Sequence, residues 1–124
     1  MSPSKSGQAV VASQSCAAGG SVTSAWFDLG IGVSGTVKMT NGGTGPATPC
    51  KARAEFSDDG TNVRGAAAIA TATTGNGEAT EVPYGFGAGG QLGDWLKYRI
   101  VFDGNTSQAV TVYAYAESTA AMVP

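Results

Sequence analysis

The sequence predicts an all-β protein: an antiparallel β-sandwich, jelly-roll-like, with about eight short strands. Two observations lead to this prediction. Apolar and polar side chains alternate along several short segments, which is the pattern of strands that bury one face. Glycine-rich turns separate these segments, and 19 glycines among 124 residues disfavour long helices. Many short strands between turns are typical of a sandwich or jelly roll.

Eight segments carry the strand pattern. The clearest is 51–57, where Ala52, Ala54 and Phe56 alternate with polar residues, so one face is predicted to be dry and the other wet. The segment 63–72 is open to two interpretations, because Ala-Ala-Ala-Ile-Ala also suits a helical turn. In chain order the predicted strands are 7–15, 22–29, 35–40, 51–57, 63–72, 80–86, 95–102 and 108–116.

The last two segments hold an unusual share of the chain's aromatic and branched residues. They are predicted to form a hairpin through the turn DGNTS, with Tyr98, Ile100, Phe102, Val110 and Val112 in the core. The outward side chains are then available to a partner, since exposed Tyr is favoured at subunit contacts. Two alternatives to a partner contact remain for these aromatic side chains: they lie at the rim of the core, or they form a platform that binds sugar. The predicted contact residues are Trp95, Lys97, Arg99, Tyr113 and Tyr115.

Composition argues against several function classes. Seven Lys and Arg against nine Asp and Glu, scattered along the chain, provide no basic surface for nucleic acid. No apolar run has the length of a membrane helix. Histidine is absent, which removes Ser-His-Asp and Cys-His catalysis and imidazole ligands. We therefore expect no enzyme, cofactor, metal, nucleic-acid partner or membrane partner.

Two local features leave alternatives open. Cys16 and Cys50 can form one disulfide or remain buried thiols. The turn 57-SDDGTN-62 supplies oxygen ligands that calcium accepts, but it lacks the EF-hand spacing. An Asx-type turn between two strands explains the same residues more simply.

Two segments resemble hairpins of small β-sandwich virion proteins from tailed bacteriophages. In 52-ARAEFSDDGTNVRG-65 a strand leads into the family's S-[ND]-D-G-T-N turn, and Val63 stands where the bulky residue is usually Trp. In 98-YRIVFDGNTSQAVTVYAYAE-117 an arginine-bearing strand turns through G-N-T and returns as V-T-V, like the family's closing hairpin.

This resemblance implies a structural protein of the virion, made in the host cytoplasm and located on the capsid surface. The leading hypothesis is a head decoration (cement) protein that binds between major capsid subunits and stabilises the shell. A homotrimer around a local threefold axis is the expected form, with a dimer second. The chain is predicted to be one domain, with 1–20 and 118–124 as candidate arms across a neighbouring subunit.

Three other functions remain as alternatives. The first is a phage tail component. The second is a carbohydrate-binding sandwich module that recognises surface glycan, for which Trp95 and Tyr84 are the candidate exposed rings. The third and weakest is a glycan hydrolase, which needs two carboxylates facing each other across a cleft. The candidates for that pair are Glu55, Asp58, Asp94 and Glu117.

Overall fold

The computed structural model describes residues 6–29, 32–42, 49–73, 75–87, 97–104 and 109–118. These residues form nine β-strands and no helix, and therefore include no helix able to cross a membrane. The segment that was open to a helical turn is a strand. The strands are β1 (Ser6–Cys16), β2 (Ser21–Thr23), β3 (Phe27–Asp28), β4 (Gly32–Thr40), β5 (Lys51–Ser57), β6 (Gly65–Thr71), β7 (Ala79–Gly87), β8 (Lys97–Asp103) and β9 (Val110–Ser118).

The strands build two antiparallel sheets that pack as a sandwich. Sheet 1 has the order β1-β9-β4-β7, and sheet 2 has the order β2-β8-β5-β6, with β3 also paired to β8. Successive strands cross between the sheets everywhere except at β2–β3 and β5–β6. Because β2 and β3 both pair with β8, they correspond to two halves of one strand. With these two counted as one, the strand order of the two four-stranded sheets is that of a jelly roll. The predicted fold class is confirmed.

The core lies between the two sheets and follows the predicted alternation. A T-shaped contact between Phe56 of sheet 2 and Phe86 of sheet 1, with ring centroids 4.9 Å apart, joins the two layers. Small side chains on β9 leave room for such bulk on the facing sheet. The predicted strand 35–40 alternates so that Val37 and Met39 face inward, and both are buried. The other predicted core residues are buried as well: Ala52, Ala54, Phe56, Tyr98, Ile100, Phe102, Val110 and Val112.

The hairpin predicted for the end of the chain is wrong. Strand β8 pairs with β2, β3 and β5, whereas β9 pairs with β1 and β4. The DGNTS segment therefore connects sheet 2 to sheet 1. Period-two alternation is the same whether the next strand lies beside the first or across the core from it, so the pattern alone could not separate the two arrangements.

The hairpin between β5 and β6 is present, and its turn is of the predicted Asx type. Ser57 Oγ accepts hydrogen bonds from the amides of Asp59 (3.2 Å) and Gly60 (2.9 Å). Asp59 Oδ1 accepts from the amides of Thr61 and Asn62, each at 2.8 Å. The backbone bonds from Asn62 and Thr61 hold the pKa of Asp59 well below its ordinary value.

Gly60 suits this turn for two reasons. Its φ of +72° is in the left-handed region that favours glycine, and a methyl group there would lie 2.9 Å from Lys97 Cδ. Both carboxylate oxygens of Asp59 are bonded within the turn, since its Oδ2 atom also accepts a hydrogen bond from Asn62 Nδ2 at 2.8 Å. In the described parts of the chain, no group of three or more His, Cys, Asp or Glu side chains is arranged to hold a metal ion.

Two other expectations concern the chain ends and the cysteines. Residues 6–16 of the candidate N-terminal arm form β1 and pair with β9, and Ser118 of the candidate C-terminal arm is the last residue of β9. Residues 1–5 and 119–124 lie outside the described residues. Cys16 and Cys50 are both buried free thiols. Burial, with smaller contributions from Cys16 and Asp103, raises the pKa of Cys50 to about 12, so this thiol stays protonated and unreactive near neutral pH.

Candidate interaction surfaces

The outward side of sheet 2 carries a cluster of paired charges, which we name the charged face. Adjacent positions of β5 and β8 bring opposite charges together: Glu55 lies opposite Arg99, and Lys51 opposite Asp103. The charged face consists of Lys51, Arg53 and Glu55 on β5, Lys97, Arg99, Val101 and Asp103 on β8, and Trp26 and Asp28 at the β3 end.

Glu55 is at the centre of the charged face and is only 9% exposed. Its Oε1 atom accepts a hydrogen bond from Arg99 Nε at 2.8 Å, and Arg99 Nη2 also lies 2.8 Å away. Its Oε2 atom accepts from Arg53 Nε at 3.1 Å, and Arg53 pairs in turn with Asp103. Burial alone raises the pKa of Glu55, but the bonds and charges of Arg99 and Arg53 outweigh it and lower that pKa overall.

The rest of the charged face is ordered around this network. The Arg99 guanidinium carbon lies 4.4 Å from the centre of the Trp26 ring, a cation–π contact. Lys97 Nζ is 2.7 Å from Asp28 Oδ1. Val101 points outward between Arg53 and Thr23, yet it is 2% exposed. The face predicted to be wet is therefore partly buried, because its own charged side chains cover it.

The outward side of sheet 1 is different, and we name it the tyrosine face. Its strands place Pro83, Thr36 and Tyr115 in one row across β7, β4 and β9, and Glu81, Lys38 and Tyr113 in the next row. Both tyrosines are half-buried. The tyrosine face consists of Ser34, Thr36, Lys38, Glu81, Pro83, Tyr113 and Tyr115.

A depression of about 300 Å³ opens in the tyrosine face. Its lining residues are Ser34, Gly35, Thr36, Pro83, Tyr84 and Tyr115. Tyr84 approaches from the core side and donates a hydrogen bond from its hydroxyl to the Tyr115 carbonyl oxygen at 3.2 Å. Glycine at position 35 makes this possible, since a methyl group there would overlap that carbonyl oxygen and lie 2.8 Å from the Tyr84 Cζ and Oη atoms.

The structure divides the predicted contact residues between the two faces. Lys97 and Arg99 lie on the charged face, whereas Tyr113 and Tyr115 lie on the tyrosine face, so these four do not form one surface. Trp95 lies outside the described residues. A contact role for each of them stays a prediction.

Sequence reasoning predicted only Lys97 and Arg99 of the charged face as contact residues and missed the others, including Trp26, Arg53 and Glu55. The spacing of Arg53 and Glu55, two positions apart on one strand, was an available signal, because such residues share a face. No comparable signal connects Trp26 to Arg99, which follows 73 residues later in the chain.

The residues proposed for the alternative functions are also dispersed. Tyr84, expected as an exposed sugar-binding ring, is 9% exposed and packs into the core. Glu55 pairs with two arginines, Asp58 contacts Arg64 at 3.3 Å in the β5–β6 turn, and Glu117 belongs to β9 in the other sheet. Asp94 lies outside the described residues.

Comparison with known proteins identifies the fold. No protein-family model and no curated protein sequence matches the chain. Among solved structures, the VP2 subviral particle of infectious bursal disease virus is similar with a TM-score of 0.61 and 9% identity, over 98% of this chain and 34% of that one. The enzymatically active domain of bacteriophage CBA120 tailspike protein 4 is similar with a TM-score of 0.52 and 10% identity, over 90% and 19%.

A third similar structure holds the CBM22-1 and GH10 modules of Clostridium thermocellum xylanase 10B in complex with xylohexaose. Its TM-score is 0.52 and its identity 18%, over 75% of this chain and 17% of that one. This chain spans about a third of the length of the virus chains it matches. At such identities the likeness shows the fold alone, and that fold occurs in virus capsid proteins, a phage tailspike and a xylan-degrading enzyme.

Proposed function

We propose that the chain is a structural virion protein that decorates a phage head. In this proposal it binds the outside of the shell through the charged face, between major capsid subunits, and stabilises the shell without a catalytic step. The observation that carries the proposal is the arrangement of Arg99, which is held between Glu55 and Trp26 on the outward side of sheet 2.

This arrangement suits a protein partner. Arg and Trp are enriched among the residues that dominate binding energies at protein interfaces. The Arg99 side chain is already ordered by Glu55 and Trp26, so docking costs less side-chain entropy than for a free arginine. Its Nη1 atom makes neither of the two contacts to Glu55, which leaves a donor for a partner's carbonyl oxygen.

The charge balance of the face supports the same class of partner. The face carries four cations and three carboxylates close together, namely Lys51, Arg53, Lys97 and Arg99 with Asp28, Glu55 and Asp103. Nucleic acid requires a large surplus of positive charge, whereas a protein surface of mixed charge can match a face that carries both signs.

The fold and the hairpin resemblance support a virion role. The β5–β6 hairpin resembles that of phage virion proteins, and the jelly roll is shared with VP2 and a phage tailspike. Each bound copy favours the assembled shell by mass action, so many copies stabilise it together. We propose a homotrimer around a local threefold axis, with a dimer as the second possibility.

Binding to purified expanded heads of the virus that encodes the chain tests the proposal. We expect the protein to co-sediment with these heads and to raise the temperature at which they disrupt. We expect Arg99→Ala and Trp26→Ala each to weaken binding by about tenfold or more. The matched control is Tyr113→Ala on the opposite face, which should bind like the parent.

Three outcomes would count against this function. A protein that ignores expanded heads and leaves their disruption temperature unchanged is not a decoration protein. Binding to purified tails and not to heads would make it a tail component. Equal losses from Arg99→Ala and Tyr113→Ala would contradict attachment through the charged face.

A further inference from the structure

The depression in the tyrosine face has the form of a small ligand site. Its volume of about 300 Å³ is at the lower end of the range for small-molecule pockets. Pro83 and Tyr115 flank Thr36 from the two neighbouring strands. Because adjacent strands are roughly 5 Å apart, these two apolar walls are about 10 Å apart. A single six-membered ring fits between them above Thr36.

The depression is held rigid from the core side. Tyr84 is buried, and its hydroxyl fixes the Tyr115 backbone through the 3.2 Å hydrogen bond. Burial raises the pKa of Tyr84, so its phenol stays protonated and remains a donor. The Tyr84 ring also packs against Phe86, with centroids 5.7 Å apart. A wall that is ordered before binding loses little entropy when a ligand arrives.

The residues that line the depression determine which class of ligand it can bind. It has hydroxyl groups from Ser34 and Thr36 and apolar surface from Pro83 and Tyr115, and none of the six described lining residues carries a charge. Among these described lining residues an anion finds no cationic partner, and a metal ion finds no carboxylate. A neutral sugar ring has an apolar C–H face to lie on an aromatic ring and hydroxyls around its edge for hydrogen bonds.

We propose that this depression binds one neutral pyranose residue of a glycan. Tyr115 supplies the stacking surface, while Ser34 and Thr36 bond the sugar hydroxyls. The site is separate from the charged face, because the two lie on opposite sides of the sandwich. A copy attached through the charged face therefore presents this site away from its support, although sugar binding does not depend on that attachment.

Amide chemical-shift titration of the whole chain tests the proposal. The probes are the methyl glycosides of glucose, galactose, mannose and N-acetylglucosamine. Glycerol and glucose 6-phosphate are controls for a non-ring polyol and a charged sugar. We expect saturable shifts at Thr36, Gly85 and Tyr115 with at least one neutral glycoside, weaker shifts with glucose 6-phosphate, and none with glycerol.

Variants separate the site from the rest of the tyrosine face. Tyr115→Ala should weaken binding by about tenfold or more, since it removes the stacking ring. Tyr113→Ala, the adjacent outward tyrosine on the same strand, is the matched control and should bind like the parent. Thr36→Val keeps the shape of the side chain and removes its hydroxyl, so it should weaken binding severalfold even if Tyr115→Ala fails to fold.

Several results would overturn the assignment. These are an absence of saturable shifts with every neutral glycoside, equal shifts with glycerol, or unchanged binding by Thr36→Val and Tyr115→Ala together. Shifts of the same residues by a proline-rich peptide but not by glycosides would assign the depression to a peptide instead. Head binding by the charged face is measured separately, so either function can fail without the other.

Discussion

The side chains of the charged face and of the tyrosine face are held in place in different ways. On the charged face, side chains of neighbouring strands neutralise one another, and Glu55 becomes buried beneath its own arginines. On the tyrosine face the support comes from the core side, where Tyr84 fills the space next to Gly35 and hydrogen-bonds the Tyr115 carbonyl oxygen. The comparison teaches that a pattern of outward polar residues does not predict how buried or how ordered those side chains are. On one face the polar side chains are paired with those of neighbouring strands, and on the other face they are held in place by buried side chains beneath them.

We expect the largest effect from a substitution that disturbs the packing of Tyr84 and Tyr115 against Gly35. A methyl group at position 35 would overlap the Tyr115 carbonyl oxygen, which belongs to the backbone and cannot rotate away. We expect Gly35→Ala to lower the free energy of unfolding by about 2–4 kcal/mol, measured by urea denaturation.

Gly85→Ala is the matched control on the adjacent strand. There a methyl group would meet its nearest atoms at 3.6 and 4.0 Å, which are ordinary contacts. We expect a change within about 1 kcal/mol. If both variants lose the same stability, the tyrosine face does not depend on the space at Gly35.

We expect an intermediate effect from breaking the ion pairs of Glu55 on the charged face. Glu55→Gln keeps the shape of the side chain and removes the charge that two arginines share. We expect a loss of about 1–2 kcal/mol in unfolding free energy, moderated because both arginines are partly exposed. Glu81→Gln on the tyrosine face, an exposed position, should stay within about 0.5 kcal/mol. Equal effects of the two substitutions would refute a special role for Glu55.

The smallest expected effect is a change in acid sensitivity. The folded state lowers the pKa of Glu55 and Asp59 from the ordinary values of 4.5 and 3.8. Their stabilising contribution is therefore complete above about pH 4.5, and it is lost as the pH falls through the lower folded-state values. The stability gap between the parent and Glu55→Gln should narrow as the pH is lowered below about 4.5.

Urea denaturation at a series of pH values measures this gap. The Glu55→Gln/Asp59→Asn double variant should show a shallower acid slope than either single variant, because each substitution removes one of the two titrations. A gap that stays constant from neutral to acid pH would show that Glu55 stabilises the fold by shape and not by charge.

The sequence by itself determined the features that depend on neighbouring residues. The alternation in 51–57 and 35–40 predicted which side chains enter the core, and the sequence of 57–62 predicted an Asx-type turn, which Asp59 forms. These predictions were correct because strand periodicity and Asx turns are local properties of the backbone. The fold class followed from their repetition along the chain.

Only the tertiary structure decided which sheet each strand joins. The alternation of β8 and β9 is the same in a hairpin and across a sandwich, so the separation of Arg99 from Tyr113 and Tyr115 could not be predicted. The burial of Glu55 needed Arg99, 44 residues away along the chain, and the depression needed Tyr84 beneath Gly35 and Tyr115. These contacts depend on long-range strand pairing and inter-sheet packing, which a period of two residues does not encode.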